Sequence, residues 1–237
     1  PTYSYELAVI VQDGLRRMYK EMESVFFYIT TMNENYQQPE MPKGVEIDIV
    51  KGMYLLEDGG AGEYKLTKPL NKDARLRLLG SGTILREVRK AAEILRKEYS
   101  VAVDVWSVTS FNELRRDALA VSRENMLCPD KKPKLPFVTE KLAKQKGPII
   151  AATDYMKAYS DQIREFVPDS YRVLGTDGFG RSDSRERLRH FFEVDSKFVV
   201  LAALTDLKEL GLVDPKAILA HMKKTGIKRA KANPLHQ

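Results

Sequence analysis

The chain has 237 residues, 43% of them hydrophobic and 30% charged, which is typical of a soluble globular protein with one large domain, or one domain and a piece of another. No apolar run reaches the roughly 18 residues of a membrane span and no signal-peptide pattern opens the chain, so we expect no membrane partner. The single cysteine, Cys128, excludes an intramolecular disulfide, which fits a cytoplasmic protein, and we interpret it as a structural thiol.

The net charge of +6 is a property of the C-terminal tail. Residues 215–237 contain six lysines and arginines and no acidic residue, which leaves 33 bases for the 33 acids of the chain. Nucleic-acid-binding surfaces usually interleave basic with aromatic residues, and this tail has no aromatic residue. We therefore predict a solvated basic tail and no nucleic-acid partner.

The first third of the chain predicts a helix, a strand and a linker. Apolar residues at four- and three-residue spacing predict an amphipathic helix over residues 4–19. The β-branched and aromatic run 25–30 predicts a buried strand, and the Pro- and Gln-containing stretch 37–44 predicts a linker. A glycine cluster then opens a polar loop from residue 59 to about 74. We interpret the following as core aromatics: Tyr3, Tyr5, Phe26, Phe27 and Tyr28.

From residue 75 onward, predicted strands and helices alternate. The strands are expected at 75–79, 101–108, 149–152 and 172–174. The helices are expected at 83–98, 111–122, 136–145, 155–166, 184–191, 196–210 and 215–223. This alternation predicts an α/β fold with a mostly parallel sheet and helices on both faces.

The turn Gly80-Ser81-Gly82 joins a predicted strand to a predicted helix. Such a turn can offer backbone N–H groups to a phosphate. However, Leu85 stands where the dinucleotide-binding pattern needs its third glycine, and no lysine follows as in a phosphate-binding loop. We interpret it as a tight turn and keep a nucleotide-binding α/β enzyme as an alternative.

The glycine-rich loop 175–183 follows another predicted strand, where ligands of parallel sheets gather. We interpret this loop as structural. Asp183 is predicted to cap the next helix, with Glu186 completing a capping box, and Arg181 is predicted to pair with Asp177.

The three histidines, His190, His221 and His236, show neither triad nor metal-ligand spacing. We predict that His190 is a packed or capping residue and that His236 lies in a frayed tail. From the residues alone, the chain is an α/β domain without a complete active site.

Five long and idiosyncratic stretches carry a resemblance to a known family: "YSYELAVIVQDGLRRMY" (3–19), "TTMNENYQQPEMP" (30–42), "DVWSVTSFNELRRD" (104–117), "ENMLCP" (124–129) and "ATDYMKAYSDQIREFVPDSYRVLGTDGFGRSDSRERLRHFFEVD" (152–195). They resemble the homodimeric pyruvate dehydrogenase component of bacteria, a transketolase-like enzyme that depends on thiamine diphosphate. The likeness covers almost the whole chain apart from the loop around residues 59–74.

The resemblance implies a three-domain parent enzyme. Its first domain binds thiamine diphosphate through Mg²⁺, its second supplies the activating glutamate and catalytic histidines, and its third chiefly supports the dimer. We expect residues 1–44 to be the C-terminal end of the pyrimidine-binding middle domain plus a linker. Residues 45–237 are expected to be a transketolase C-terminal-like domain with a mixed five-stranded sheet. The chain then resembles a C-terminal fragment, since its first helix and strand lack sheet partners.

The resemblance also implies an activity and partners. The parent, an oxidoreductase of a multienzyme complex linked to glycolysis, decarboxylates pyruvate and reductively acetylates the lipoyl group of its dihydrolipoyl acyltransferase partner. The family's catalytic and metal-binding motifs lie upstream of Pro1, so we expect no catalytic, cofactor-binding or metal-binding residue here. We also expect no thiamine diphosphate or Mg²⁺ on this chain alone.

One stretch is expected to approach the active site of the parent enzyme. Asn33, Glu34, Asn35 and Tyr36 follow the carboxyl end of the predicted strand 25–30. A regulatory or interaction module that uses the basic tail remains a further alternative.

Overall fold

The computed structural model describes residues 1–59 and 71–236. Its helices are α1 (Ser4–Leu15), α2 (Glu46–Lys51), α3 (Leu85–Tyr99), α4 (Phe111–Leu127), α5 (Phe137–Leu142), α6 (Lys157–Asp161), α7 (Arg185–Phe191), α8 (Ser196–Glu209) and α9 (Pro215–Thr225). Its strands are β1 (Met53–Glu57), β2 (Asn71–Gly80), β3 (Val101–Val108), β4 (Ile149–Ala152) and β5 (Tyr171–Leu174). Within the described ranges, no helix is both long and apolar enough to cross a membrane.

The strands form one mixed sheet in the order β1-β3-β2-β4-β5. Strand β1 runs antiparallel to β3, and the remaining pairs are parallel. The chain passes from β2 to β3 on one side and then returns past β2 to β4 on the other. The switch point of the sheet therefore lies between β2 and β4. The predicted α/β class, with its mostly parallel five-stranded sheet, is confirmed.

Hydrophobic side chains bury both faces of this sheet. The neighbours Leu78 and Leu79 on β2 point to opposite faces, as successive strand residues must. Leu78 belongs to a core with α3 and α8, whereas Leu79 packs with Trp106 and with residues of α4 and α5. All eight residues of β3 are buried, which explains why apolar side chains occur on both faces of this strand, interrupted only by the buried polar residues Asp104 and Ser107.

The predicted strand 25–30 is wrong. Residues 21–44 contain no helix or strand beyond a short turn. The stretch is extended, with Val25, Phe27 and Ile29 half-buried and Phe26 and Tyr28 exposed at 87% and 86%. Phe26 and Tyr28 are therefore not core aromatics. The β-type alternation is present, but no described strand lies alongside to provide the hydrogen bonds of a ladder.

Other boundaries also differ from the predictions. The first helix ends in a π-helical turn, Arg16–Lys20, and the predicted helix 155–166 divides into α6 and a 3₁₀ turn, Arg164–Phe166. Strand β2 begins at Asn71, so the predicted loop ends earlier than residue 74, and residues 60–70 of that loop lie outside the described residues. Helix α2 and strand β1 were not predicted.

The C-terminal tail is only partly solvated. Lys231 Nζ donates to the carbonyl of Phe191 at 2.8 Å and to Glu193 at 2.9 Å, and Pro234 is buried. A 3₁₀ turn, Pro234–His236, ends the described residues, and His236 within it is exposed; the expected fraying at His236 stays a prediction. Lys228 and Arg229 are exposed, as predicted.

Candidate functional site

A cleft of about 770 Å³ opens at the carboxyl ends of the parallel strands. Ser81 and Gly82 line it after β2, and Thr153 and Asp154 line it after β4. These two pairs of residues flank the switch point, where open parallel sheets bind ligands. The opposite wall is the extended stretch 24–32, which we call the cleft segment.

Asp154 contributes a carboxyl group to the lining of the cleft beside this switch point. Burial raises the pKa of Asp154 above its ordinary value, and the positive charge of Arg189 opposes that shift without cancelling it. A carboxyl with a perturbed pKa at the ligand edge of a sheet is a candidate functional residue. Asp154 was not among the predicted site residues, although its position two residues after the predicted strand 149–152 was an available signal.

The glycine turn after β2 is filled by contacts within the protein. A Cβ on Gly80 would lie 2.7 Å from the Cα of Leu85, so the close approach of strand and helix requires glycine there. Thr2 Oγ1 donates to the Gly82 carbonyl at 2.7 Å, and Ser81 Oγ donates to Thr153 Oγ1 at 2.9 Å. Packing thus accounts for the glycine pattern, as the tight-turn interpretation predicts.

Glu34 lies in a cluster of arginines from two helices, which we call the Glu34 cluster: Glu34, Arg86, Arg185 and Arg189. The Glu34 side chain is only 14% exposed, and it accepts a hydrogen bond from Arg86 of α3 at 2.5 Å. Arg189 of α7 donates to the same carboxylate, and Arg185 Nε lies 3.9 Å away. Burial acts to raise the pKa of Glu34, but the guanidinium groups of Arg189, Arg86 and Arg185 outweigh it and hold the pKa below its ordinary value.

The neighbours of Glu34 make further contacts with the same two helices. Arg185 Nη2 donates to Asn33 Oδ1 at 2.6 Å. The guanidinium of Arg86 stacks over the Tyr36 ring, 4.7 Å from its centroid, and the Tyr36 hydroxyl donates to the Thr2 carbonyl. Asn35 is exposed. The structure therefore brings Asn33, Glu34 and Tyr36 together with α3 and α7 and leaves Asn35 apart.

The predicted pairing within the 177–183 loop is wrong. Asp177 accepts a hydrogen bond from the backbone N–H of Lys157 at 2.9 Å, and the Lys157 ammonium lies 3.8 Å from the same carboxylate. Arg181 instead stacks over the ring of Phe191 at 5.2 Å. Asp177 and Arg181 thus contact different neighbours and do not pair with each other.

The predicted cap of α7 is also wrong by one residue. Ser184 is the N-cap, and its hydroxyl accepts from the backbone N–H of Arg187 at 3.4 Å. Asp183 accepts from the N–H of Ser184 at 2.7 Å and lies 3.6 Å from the Arg187 guanidinium. Since helical backbone angles begin at Arg185, the cap position falls on Ser184.

The two buried or half-buried histidines have structural partners. His190 Nδ1 lies 2.8 Å from Asp195, the residue that caps α8, which agrees with the predicted packed or capping role. His221 is buried between the Tyr99 hydroxyl and the Lys197 carbonyl. Across residues 1–59 and 71–236, no three His, Cys, Asp or Glu side chains gather as metal ligands.

Comparison with known proteins identifies the family. The model of the transketolase-like TK C-terminal domain matches residues 62–195, which is more than half of the chain. The chain belongs to the transketolase-like C-terminal domain family. A second model, that of the pyruvate dehydrogenase E1 component middle domain, matches residues 1–39 of this transketolase-like chain.

Relatives of this transketolase-like chain carry the name pyruvate dehydrogenase E1 component. The chain is 56% identical over 238 residues to that of Pseudomonas aeruginosa, with 99% of this chain and 26% of the relative covered. It is 51% identical over 238 residues to that of Escherichia coli K12, with 99% and 25% covered. The resemblance to the pyruvate dehydrogenase component is thus confirmed, and the chain spans about a quarter of the length of these relatives.

Solved transketolases are more distant. The transketolase of Leishmania mexicana is 19% identical with a TM-score of 0.43, over 73% of this chain and 20% of that one. The transketolase of Campylobacter jejuni is 20% identical with a TM-score of 0.40, over 65% of this chain and 18% of that one.

Proposed function

We propose that this chain is the C-terminal part of a thiamine-diphosphate-dependent pyruvate dehydrogenase component. The complete enzyme decarboxylates pyruvate and passes the acetyl group to the lipoyl group of a dihydrolipoyl acyltransferase in the cytoplasm. Thiamine diphosphate supplies the carbanion chemistry, and the protein positions it and excludes water. The observation that carries this proposal is the 56% identity to a pyruvate dehydrogenase E1 component over 99% of the chain.

Within that enzyme, the proposed role of this chain is support. Residues 1–44 complete the middle domain, and residues 45–237 form a C-terminal domain that packs in the homodimer. Two groups of contacts join residues 1–44 to residues 45–237 and support this proposal. One is the buried carboxylate of Glu6, which accepts hydrogen bonds from Tyr54 of β1 and Ser107 of β3. The other is the Glu34 cluster.

The described residues do not fit the cofactor. Binding of Mg²⁺ needs several oxygen ligands, and no such group of acidic side chains is present in residues 1–59 and 71–236. At the turn Gly80-Ser81-Gly82, the position considered for a phosphate, the Gly82 carbonyl accepts from Thr2 and the Ser81 hydroxyl is bonded to Thr153. We therefore propose that thiamine diphosphate and Mg²⁺ are held by other parts of the complete enzyme.

The alternative functions find less support. A nucleotide-binding enzyme needs an open glycine turn, whereas Gly80 is required here for close packing against Leu85. An interaction module needs a free basic tail, whereas Lys231 is bonded to Glu193 and Lys224 to Glu98.

Calorimetric titration of thiamine diphosphate and Mg²⁺ into the 237-residue chain tests the proposal, together with a pyruvate decarboxylation assay on the same sample. We expect neither heat of binding nor CO₂ release from this chain. The complete enzyme, measured under the same conditions, should show both. Binding to the chain alone would refute the non-catalytic role, and an inactive complete enzyme would refute the activity.

A further inference from the structure

We infer that residues 228–235 form a strap that opens and closes as a unit over the loop 175–183, with Lys231 as its clasp. We call these residues the C-terminal strap. In the closed state, the strap supports the turn that presents Phe179, a side chain that is 80% exposed. In the open state, the loop is released together with the strap. The inference concerns a conformational device and does not depend on the proposed function.

The ammonium of Lys231 is held by four groups at the corner between α7 and α8. It donates to the carbonyl of Phe191 at 2.8 Å and to the carboxylate of Glu193 at 2.9 Å. It also lies 5.6 Å from the centroid of the Phe191 ring and 5.4 Å from that of the Phe198 ring. The Lys231 side chain is only 20% exposed, so these attractions are weakened by solvent less than those of a surface lysine.

The backbone of Glu193 indicates that its side chain matters for this contact. Glu193 follows α7 with a φ of +63°, in the left-handed region. Helices commonly end with glycine in that conformation, because any other side chain there is strained. Glycine could not bond to Lys231, whereas the carboxylate of Glu193 does. The residue that the backbone disfavours is therefore the one that completes the clasp.

The strap touches the loop at Gly178. The φ of Gly178 is +96°, and a Cβ at this position would lie 2.8 Å from the carbonyl oxygen of Pro234. Glycine is required here by both the backbone conformation and the close approach. On its other side, the loop is fixed by Asp177, which accepts from the backbone N–H of Lys157. The turn that carries Phe179 is thus held between two supports, and the strap is one of them.

The strap has few contacts that would keep it closed without Lys231. Among the described residues, the other hydrogen bonds of residues 228–235 stay within the C-terminal segment itself. Pro234 is buried, whereas Lys228 and Arg229 are exposed. A segment with so little buried apolar surface opens at a lower free energy than the folded core. The strap should therefore open while the sheet stays folded.

Trypsin digestion of the folded complete enzyme tests the inference, because cleavage of a native protein reports the population of locally open forms. Lys231→Met keeps an unbranched side chain and removes its charge. We expect cleavage after Arg229 in the strap and after Arg181 in the loop, each identified by mass spectrometry, to become about tenfold faster. Glu193→Gln should change both rates in the same direction. The matched control is Lys216→Met, since Lys216 is exposed on α9, and it should leave both rates unchanged.

The coupling is also tested from the side of the loop. Gly178→Ala places a methyl group against the Pro234 carbonyl and should speed cleavage after Arg229, which lies in the strap. Hydrogen exchange of the β3 amides, measured in every variant, reports on the core and should not change. If Lys231→Met does not fold, Glu193→Gln and Gly178→Ala decide in the same assay.

Three results would overturn the inference. Unchanged cleavage after both Arg229 and Arg181 in Lys231→Met would show that Lys231 is not a clasp. Faster cleavage after Arg229 alone would show a tail that moves independently of the loop. Equally faster exchange in β3 would show that the strap opens only when the whole domain unfolds.

Discussion

Replacement of Glu6 by alanine would test the buried carboxylate that joins α1 to the sheet. Glu6 has no solvent exposure. It accepts hydrogen bonds from the backbone N–H groups of Thr2 and Tyr3, from the Tyr54 hydroxyl at 2.7 Å and from Ser107 Oγ at 2.6 Å. These four donors come from the start of the chain and from β1 and β3, so the carboxylate holds together parts that are far apart in sequence.

The expected magnitude follows from the donors that alanine leaves behind. A buried donor without a partner costs about 1–3 kcal/mol. The Tyr54 hydroxyl can turn toward the Tyr5 hydroxyl, 2.5 Å away, which leaves the two backbone N–H groups and Ser107 unsatisfied. Removal of the carboxylate also relieves the cost of burying its charge. We therefore expect Glu6→Ala to lower the free energy of unfolding by about 3 kcal/mol.

Glu6→Gln should cost less, about 1–2 kcal/mol, because its carbonyl oxygen can still accept from the backbone while its amide faces two hydroxyls that can rotate to accept. Urea unfolding followed by fluorescence gives the measurement. Trp106, the only tryptophan, is 6% exposed in β3 and reports on the core. Glu40→Ala is the control. A Glu6→Ala protein within about 1 kcal/mol of the wild type would refute the reasoning.

Two further predictions concern α7 and Glu34. Ser184→Ala should lower the free energy of unfolding by about 1 kcal/mol through loss of the N-cap, and Asp183→Ala should lower it by less. Urea unfolding measures both variants, and a larger loss in Asp183→Ala would contradict the observed cap. Because folding lowers the pKa of Glu34 below its ordinary value of 4.5, the stability it contributes is present above that value and is lost as pH falls through the lowered pKa. The difference in unfolding free energy between wild type and Glu34→Gln should therefore shrink from about pH 6 to about pH 3, and a constant difference would contradict this.

The long elements of the sheet and its helices were predictable because burial dictates their patterns. Strands β3 and β4 begin and end at the predicted residues, and α3 (Leu85–Tyr99) lies within two residues of its predicted bounds, 83–98. The extended run 25–30 has the composition of a strand, yet composition carries no information about whether a neighbouring strand is present. Strand β1 has only five residues, which are too few to show a clear alternation of apolar and polar side chains, and it lies at the edge of the sheet.

The candidate site was predictable in part. The position after a predicted strand indicated Asn33, Glu34, Asn35 and Tyr36. The arginine partners of Asn33, Glu34 and Tyr36 lie fifty or more residues away in sequence. No local pattern connects such residues before the fold is known. For α7, both Asp183 and Ser184 are good capping residues, and only the backbone angles decide between them.

The cleft segment has a consequence for handling the chain in isolation. Residues 26–32 of this segment are uncharged and rich in aromatic and β-branched side chains, and their extended backbone makes no backbone hydrogen bond with a described residue. These are the properties of a segment that recruits other strands edge to edge. Purified chains at high concentration should therefore self-associate through this segment, and a lysine at the outward-facing position of Phe26 or Tyr28 is the substitution most suited to keep them monomeric.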